Sequence, residues 1–213
     1  MTPKGKRPAV ADGKHTVFGN EKSTASPSLL RVDTVGDAWR RQTKDKAKVV
    51  ALSIKDRAAI LSGGRRANLA LWFDKTSRRF TTSSYYVEQL PSWLETWQAA
   101  HPVADLLGPW TPSDPKLYER VLGPDDQPGE LEWMGFGRTF PHEPMKTKRP
   151  YKAFCVTPRS TDLLFELAKT TVENLELGAD DIPDLLTVSV SSTDYAGHSY
   201  GAGSWEYFDN LLR

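Results

Sequence analysis

The sequence predicts an α/β protein with a central, mostly parallel sheet flanked by helices and an irregular cap region. Two pairs of neighbouring elements indicate this fold. A helical pattern over residues 33–43 is followed by an apolar, β-branched run at 48–54, and an amphipathic helix over 162–177 leads into a second such run at 186–190. Buried strands that alternate with helices are typical of βαβ units, in which the strands run parallel.

The first 25 residues predict an irregular N-terminal tail. They are polar, contain Pro, Gly and Lys, and show no apolar period. A segment of this composition buries too little apolar surface to order itself. His15 is therefore interpreted as a tail residue, and we expect the domain itself to occupy residues 26–213.

A hairpin and a helix are expected after the run at 48–54. Residues 68–73 and 80–86 are strand-like and flank a turn, which favours an antiparallel pair. Four apolar residues then follow the i, i+3, i+4, i+7 spacing of an amphipathic helix that ends near residue 100: Leu90, Trp93, Leu94 and Trp97. We interpret the two tryptophans as core residues rather than as a platform for stacking bases.

Residues 101–150 predict a loop-rich, cap-like segment. They are rich in Pro, Gly and Asp, with aromatic residues between them and no strong period. A connection of this length inside a compact domain usually carries function or covers a site. His101 and His142 are interpreted as loop residues of this segment.

Asp194 and His198 follow the strand at 186–190 and are four residues apart. If the chain turns into a helix there, both side chains lie on one helical face. A carboxylate oxygen and an imidazole nitrogen are good ligands for Zn²⁺, so the pair is a candidate for a metal site. A helix cap and a surface imidazole are the simpler alternative.

Lys55 and Arg57 follow the strand at 48–54 and are the second candidate site. Alternation places both side chains on one side if the chain stays extended. Two converging cations suit a phosphate, because lysine provides a point charge and arginine a planar fork of donors. An exposed charge cluster at the end of a strand is the alternative.

The composition is that of an ordinary soluble protein, with 38% apolar and 26% charged residues and a net charge of +1. The charge is uneven, because residues 1–66 hold fifteen Lys/Arg and six Asp/Glu. We interpret this as a solvated basic face rather than a nucleic-acid-binding segment. The single cysteine, Cys155, excludes an internal disulfide. No apolar run reaches 18 residues and no signal-peptide pattern is present.

Several of these segments together resemble the phosphate-irrepressible alkaline phosphatases. These enzymes form a zinc-dependent branch of the superfamily of alkaline phosphatases and type I phosphodiesterases/nucleotide pyrophosphatases. The most specific segments are the Lys-Asp-Arg-Ala-x-Ile-Leu run within residues 50–64 and the Ser-Ser-x-Asp-Tyr-x-Gly-His run at 191–198. Matching segments lie at 70–74, 81–86 and 178–184, and the resemblance covers roughly residues 24–213 in order.

The resemblance implies a phosphomonoesterase with two zinc ions at the strand ends and a threonine that forms a phospho-enzyme. It assigns Asp194 and His198 to one zinc ion, and Lys55 and Arg57 to the non-bridging oxygens of the phosphate. It further implies small phosphate monoesters as substrates, a periplasmic or secreted location, and no nucleic-acid or membrane partner.

The chain departs from the family pattern in ways that limit this interpretation. The nucleophilic threonine, the phosphate-binding asparagine and the first metal aspartate belong to a region before the matched part, and the remaining metal ligands to a region after residue 213. We therefore expect an internal fragment with no catalytic nucleophile, inactive alone. A phosphodiesterase or nucleotide pyrophosphatase is the alternative, although Lys55 and Arg57 disfavour it. The third interpretation is a module that binds polyanions through its basic N-terminal half.

Overall fold

A computed structural model describes residues 9–133 and 135–213 of the chain. In chain order its strands and α-helices are β1 (Thr16–Val17), β2 (Asn20–Thr24), α1 (Val35–Gln42), β3 (Val49–Ser53), α2 (Asp56–Gly63), β4 (Leu69–Asp74), β5 (Arg79–Thr81), α3 (Ser92–Ala100), α4 (Pro115–Leu122), α5 (Pro150–Phe154), α6 (Pro158–Asn174), β6 (Leu185–Ser189), α7 (Ser192–Ser199) and α8 (Trp205–Leu212). In the described part of the chain, none of the helices has the length and apolar character needed to cross a bilayer.

The chain forms two compact units, each built from two stretches of sequence. The first unit contains residues 1–100 and 164–189, and the second contains residues 101–163 and 190–213. The segment predicted to be cap-like, residues 101–150, belongs to the second unit. A single domain over residues 26–213 stays a prediction.

The first unit contains a four-stranded sheet in the order β5-β4-β3-β6. Strand β3 pairs in parallel with both β4 and β6, and β5 pairs antiparallel with β4. All five residues of β3 are buried, as expected for a central strand covered on both faces. The predicted α/β fold with a mostly parallel sheet is therefore confirmed.

The strand β6 differs from the prediction of a buried strand. Its five residues are all partly exposed, because β6 lies at one edge of the four-stranded sheet and β3 alone pairs with it there. Its apolar, β-branched composition predicted the strand itself correctly. Burial depends on neighbours that this composition does not specify.

The helix α1 begins where the sequence predicted. The Thr34 hydroxyl accepts a hydrogen bond from the amide of Asp37 at 3.1 Å, and the Asp37 carboxylate accepts one from the amide of Thr34 at 2.9 Å. This reciprocal pair is a capping box. At the second residue of α1, a Cβ on Gly36 would lie 2.7 Å from a methyl carbon of Val49. Glycine therefore permits α1 to approach β3 closely.

The prediction of an irregular tail is wrong for residues 10–25. Strands β1 and β2 form an antiparallel hairpin there. Val10, Val17 and Ala25 are buried in a cluster with residues of α2 and β4 that includes Ile60 and Trp72. These partners lie at least 34 residues further along the chain, so the local composition did not reveal the burial. Residues 1–8 lie outside the described part.

The second unit packs helices and irregular segments around an aromatic core. Trp110, Phe136 and Tyr200 belong to this core. The buried carboxylate of Asp209 on α8 accepts hydrogen bonds from the Trp110 indole, the Ser113 amide and the Tyr118 hydroxyl at 2.6, 2.7 and 2.8 Å. Charged acceptors with several donors form strong contacts, so this carboxylate joins α8 to α4 and to the segment before α4.

The helix α4 within residues 101–150 was not predicted. Asp114 caps it, accepting a hydrogen bond from the Leu117 amide at 2.9 Å, and Pro115 occupies its first turn. An aspartate followed by proline is a start signal for a helix. The signal was present in the sequence but stood among many other Pro and Asp residues. The rest of the segment contains two short 3₁₀ turns and irregular chain.

Candidate functional site

The first candidate site lies where β3 ends and α2 begins. The buried Ser53 hydroxyl, in the last residue of β3, donates to the Ser189 carbonyl at the end of β6 at 2.9 Å. The same oxygen accepts a hydrogen bond from the Lys55 amide at 3.2 Å. Ser53 thus fixes the start of α2 against the carboxyl ends of two parallel strands, the edge at which open α/β sheets bind ligands.

The chain does not stay extended through Lys55 and Arg57, so the expected strand-like alternation is wrong. Lys55 is the N-cap of α2, with extended backbone angles, and Asp56 begins the helix. Arg57 is therefore the second helical residue, and its side chain is exposed, whereas Lys55 is half-buried.

The turn into α2 adds to the positive potential at this place. The first amides of a helix lack intrahelical partners, and the aligned peptide dipoles place partial positive charge at the N-terminus. Lys55 and Arg57 therefore stand at a helix end that favours anions, and the Asp56 carboxylate in the first turn, which accepts a hydrogen bond from the Arg57 amide at 2.7 Å, offsets part of this positive charge. The two cations are thus placed by a strand-to-helix turn instead of an extended pair, and their binding of a phosphate stays a prediction.

The second candidate site is the pair Asp194 and His198 on α7. The predicted helix is present, and the Oδ1 of Asp194 lies 3.5 Å from the Nε2 of His198. The side chains are 51% and 80% exposed respectively, so both ligand atoms are open to solvent. The two residues are one turn apart on the same face, as predicted.

This pair fits two corners of a zinc site. Ligand atoms at about 2.0–2.1 Å from a tetrahedral zinc ion are separated by about 3.3–3.4 Å from each other, close to the distance between Asp194 and His198. The described residues include no group of three or more His, Cys, Asp or Glu side chains able to hold a metal ion. Within them, a zinc site at Asp194 and His198 stays a prediction.

A third polar centre lies in the core of the second unit and was not predicted from the sequence. His142 and Glu206 are both fully buried, and the His142 Nε2 lies 2.7 Å from the Glu206 Oε1. The other ring nitrogen lies 2.9 Å from the Phe136 carbonyl. His142 was interpreted as a loop residue; it lies in an irregular stretch, as expected, but in the core. Glu206 is 64 residues away, so no local motif connects the two.

Two further carboxyl groups interact electrostatically with Glu206. Burial, the largest cause, raises the pKa of Glu130, and together with the charges of Glu206 and Asp125 it brings this pKa to about 7. Burial likewise raises the pKa of Asp125, with a smaller contribution from Glu206. A carboxyl group that titrates near neutral pH can donate a proton. His142 and Glu206 are fully buried and the His142 ring packs against Trp110 and Phe136, so we assign the cluster a structural role.

Comparison with characterised proteins supports the resemblance found in the sequence. The chain is 34% identical over 202 residues to alkaline phosphatase PafA of Elizabethkingia meningoseptica, and 36% identical over 191 residues to alkaline phosphatase PhoV of Synechococcus elongatus. These matches cover 91% and 88% of the chain. A protein of Myroides odoratus named as a calcium-transporting ATPase is 32% identical over 221 residues. No family model matches the sequence.

The fold also matches a solved phosphatase. A crystal structure of wild-type alkaline phosphatase PafA superimposes with a TM-score of 0.86 and 32% sequence identity, covering 97% of the chain. The chain spans about a third of the length of the curated relatives it matches, 36% for PafA and 35% for PhoV. The sequence-based resemblance to these alkaline phosphatases, over part of their length, is confirmed.

Proposed function

We propose that this chain, a relative of the alkaline phosphatases over about a third of their length, supplies the phosphate-binding cations and part of one zinc site of a phosphomonoesterase. The observation that carries the proposal is the position of Lys55 and Arg57 at the N-terminus of α2, next to the carboxyl end of β3. The names of the relatives support the reaction class, hydrolysis of phosphate esters.

Lys55 and Arg57 bind the non-bridging oxygens of the phosphate in this proposal. The arginine fork pairs with two oxygens at once, and the lysine contributes a compact charge. A monoester carries two negative charges near neutral pH and a diester one. Two cations at the N-terminus of a helix therefore favour the monoester, which is the reason for proposing a phosphomonoesterase rather than a phosphodiesterase.

Asp194 and His198 hold one zinc ion in the proposed site. Zinc, when bound, polarises a phosphoryl oxygen or lowers the pKa of a bound water. The role of the two side chains is to present an oxygen and a nitrogen ligand from the rigid face of α7. Ligands from the part of the relatives that this chain does not span would complete the coordination, and the nucleophile is also assigned there. We expect the chain alone not to hydrolyse phosphate esters.

Calorimetric titration of the purified chain with phenylphosphonate, a non-hydrolysable analogue of a monoester, tests the proposed phosphate site. We expect the double variant Lys55→Gln/Arg57→Gln to bind it at least 10-fold more weakly than wild type. Lys46→Gln, an exposed lysine outside the strand end, is the control and should change affinity less than 2-fold. Equal affinity in wild type and double variant would remove the basis of the proposal.

The same titration discriminates the phosphodiesterase alternative. The methyl ester of phenylphosphonate carries one negative charge and imitates a diester. If Lys55 and Arg57 select monoesters, the ester binds at least several-fold more weakly than phenylphosphonate. Tighter binding of the ester would favour a phosphodiesterase.

A further inference from the structure

A cleft in the second unit concentrates positive charge, and no role has been assigned to it. Its cavity measures about 580 Å³ and is lined by Glu132, Gly135, Lys146, Lys148, Arg149 and Lys152. We call this the basic cleft. Four cations and one carboxylate face a single concavity, whose size is that of an ordinary small-molecule site. We propose that the basic cleft binds a small anion that carries two or more phosphate groups.

The cations of the basic cleft are mostly left without counter-charges. Lys146 pairs with Glu143, with 2.7 Å between its Nζ and the Glu143 Oε1. In the described ranges, Lys148, Arg149 and Lys152 form no ion pair with a carboxylate. Like charges that line one concavity repel one another, and a concave surface focuses their field. An anion with several charges would relieve this repulsion at more than one cation at once.

Residues 146–149, which carry three of the cations, are held in place by the hydrogen bonds of a buried threonine. Thr147, between two of the lysines, is buried and donates from its hydroxyl to the Pro144 carbonyl at 2.8 Å. The same hydroxyl accepts a hydrogen bond from the Arg149 amide at 3.3 Å. Because Thr147 points inward, its neighbours Lys146 and Lys148 are held outward, and both are exposed. A fixed backbone lowers the entropic cost of binding.

An aromatic side chain positions a further cation of the basic cleft. The Lys152 Nζ lies 5.2 Å from the ring centroid of Trp133, within the range of a cation–π interaction. Trp133 packs in turn against the aromatic core of the unit. The ring therefore places the ammonium group of Lys152, and its fluorescence can report a charge that arrives nearby.

The charge of the whole unit argues for a small ligand rather than a polymer. Residues 101–163 and 190–213 contain nine Lys/Arg and twelve Asp/Glu. Four of those nine cations line the basic cleft. A nucleic-acid strand requires a positive track across a surface, whereas this unit is acidic overall and positive at one concave place. A compact polyphosphate meets the cations without crossing the acidic surroundings.

Titration with inorganic tripolyphosphate tests this inference, in the Lys55→Gln/Arg57→Gln background so that the proposed phosphate site does not contribute. We expect Lys148→Gln/Arg149→Gln to weaken tripolyphosphate binding at least 10-fold. The matched control Lys116→Gln/Arg120→Gln removes two exposed cations of α4 in the same unit and should weaken it less than 2-fold. Orthophosphate should bind at least 10-fold more weakly than tripolyphosphate.

Two results would overturn the inference. The first is equal loss of affinity in the cleft variant and the α4 control, which indicates diffuse attraction. The second is tighter binding of a single-stranded oligonucleotide than of tripolyphosphate through the same residues, which indicates a polymer site. The Trp133→Phe variant provides a local signal, because the fluorescence change on adding tripolyphosphate should be lost with it. Failure of the Lys55 and Arg57 test leaves this result unaffected, since the background lacks both cations.

Discussion

The Oδ1 of Asp194 and the Nε2 of His198 lie 3.5 Å apart on one face of α7. This distance suits two ligands of one tetrahedral zinc ion. It also suits an exposed ion pair between residues one helical turn apart, which contributes little to stability. The two interpretations differ in what they predict for metal binding, which is measurable on the chain itself.

If the pair is a partial zinc site, the chain binds Zn²⁺ weakly through both side chains. We expect His198→Ala and Asp194→Ala each to weaken binding at least 10-fold, because one remaining ligand cannot hold the ion. Competition with a chromophoric chelator measures the affinity. His101→Ala removes an exposed histidine of the same unit and is the control. Unchanged affinity in both α7 variants would favour the ion pair.

The buried contact between His142 and Glu206 gives a second prediction. Glu206→Ala should lower the free energy of unfolding by about 3 kcal/mol or more, because it leaves a buried partner without its counterpart. Glu206→Gln keeps an oxygen opposite the Nε2 and should lose less. Urea denaturation followed by tryptophan fluorescence measures both. The control Glu119→Ala, on the exposed side of α4, should change the free energy of unfolding by less than about 0.5 kcal/mol. A change as small as this in Glu206→Ala would contradict the structural role of the buried contact.

Local patterns in the sequence predicted most of the regular elements and the helical pair of the site. The helical pattern over residues 33–43 predicted α1, and the i, i+4 spacing predicted that Asp194 and His198 share a face. The missed features depend on distant partners. His142 contacts Glu206, which lies 64 residues further along the chain. Val17 is buried in the same cluster as Ile60 and Trp72. Such pairings arise from the tertiary fold, which no single stretch of sequence contains.

The high pKa of Glu130 predicts that stability depends on pH. Burial raises this pKa to about 7, from an ordinary value of 4.5. Between these values the folded chain holds a proton that the unfolded chain releases, so the free energy of unfolding falls as the pH rises from about 4.5 to 7. One pKa unit corresponds to about 1.4 kcal/mol, so the effect is at most a few kcal/mol.

Melting temperatures measured across that pH range test the role of Glu130. Glu130→Gln resembles the protonated acid and does not titrate. We expect this variant to lose part of the pH dependence and to melt above wild type at pH 8. The exposed Glu132→Gln should follow the wild-type curve. A Glu130→Gln curve parallel to wild type would show that another group causes the dependence.

Asp12 ties the N-terminal segment together, and its substitution is expected to loosen that segment selectively. Although burial by itself raises the pKa of Asp12, hydrogen bonds from the Ser26 hydroxyl and the His15 ring, each at 2.5 Å, hold the pKa below its usual value. The carboxylate therefore stabilises the fold above a pH of about 4, and this stabilisation is lost as the pH falls below that value.

We expect Asp12→Asn to increase amide hydrogen exchange in β1 and β2 at pH 7, with protection in β3 unchanged. The control Glu21→Gln removes an exposed carboxylate of β2 and should leave both protected. Unaltered exchange in β1 and β2 of Asp12→Asn would show that the apolar contacts of Val10 and Val17 hold the segment without the carboxylate.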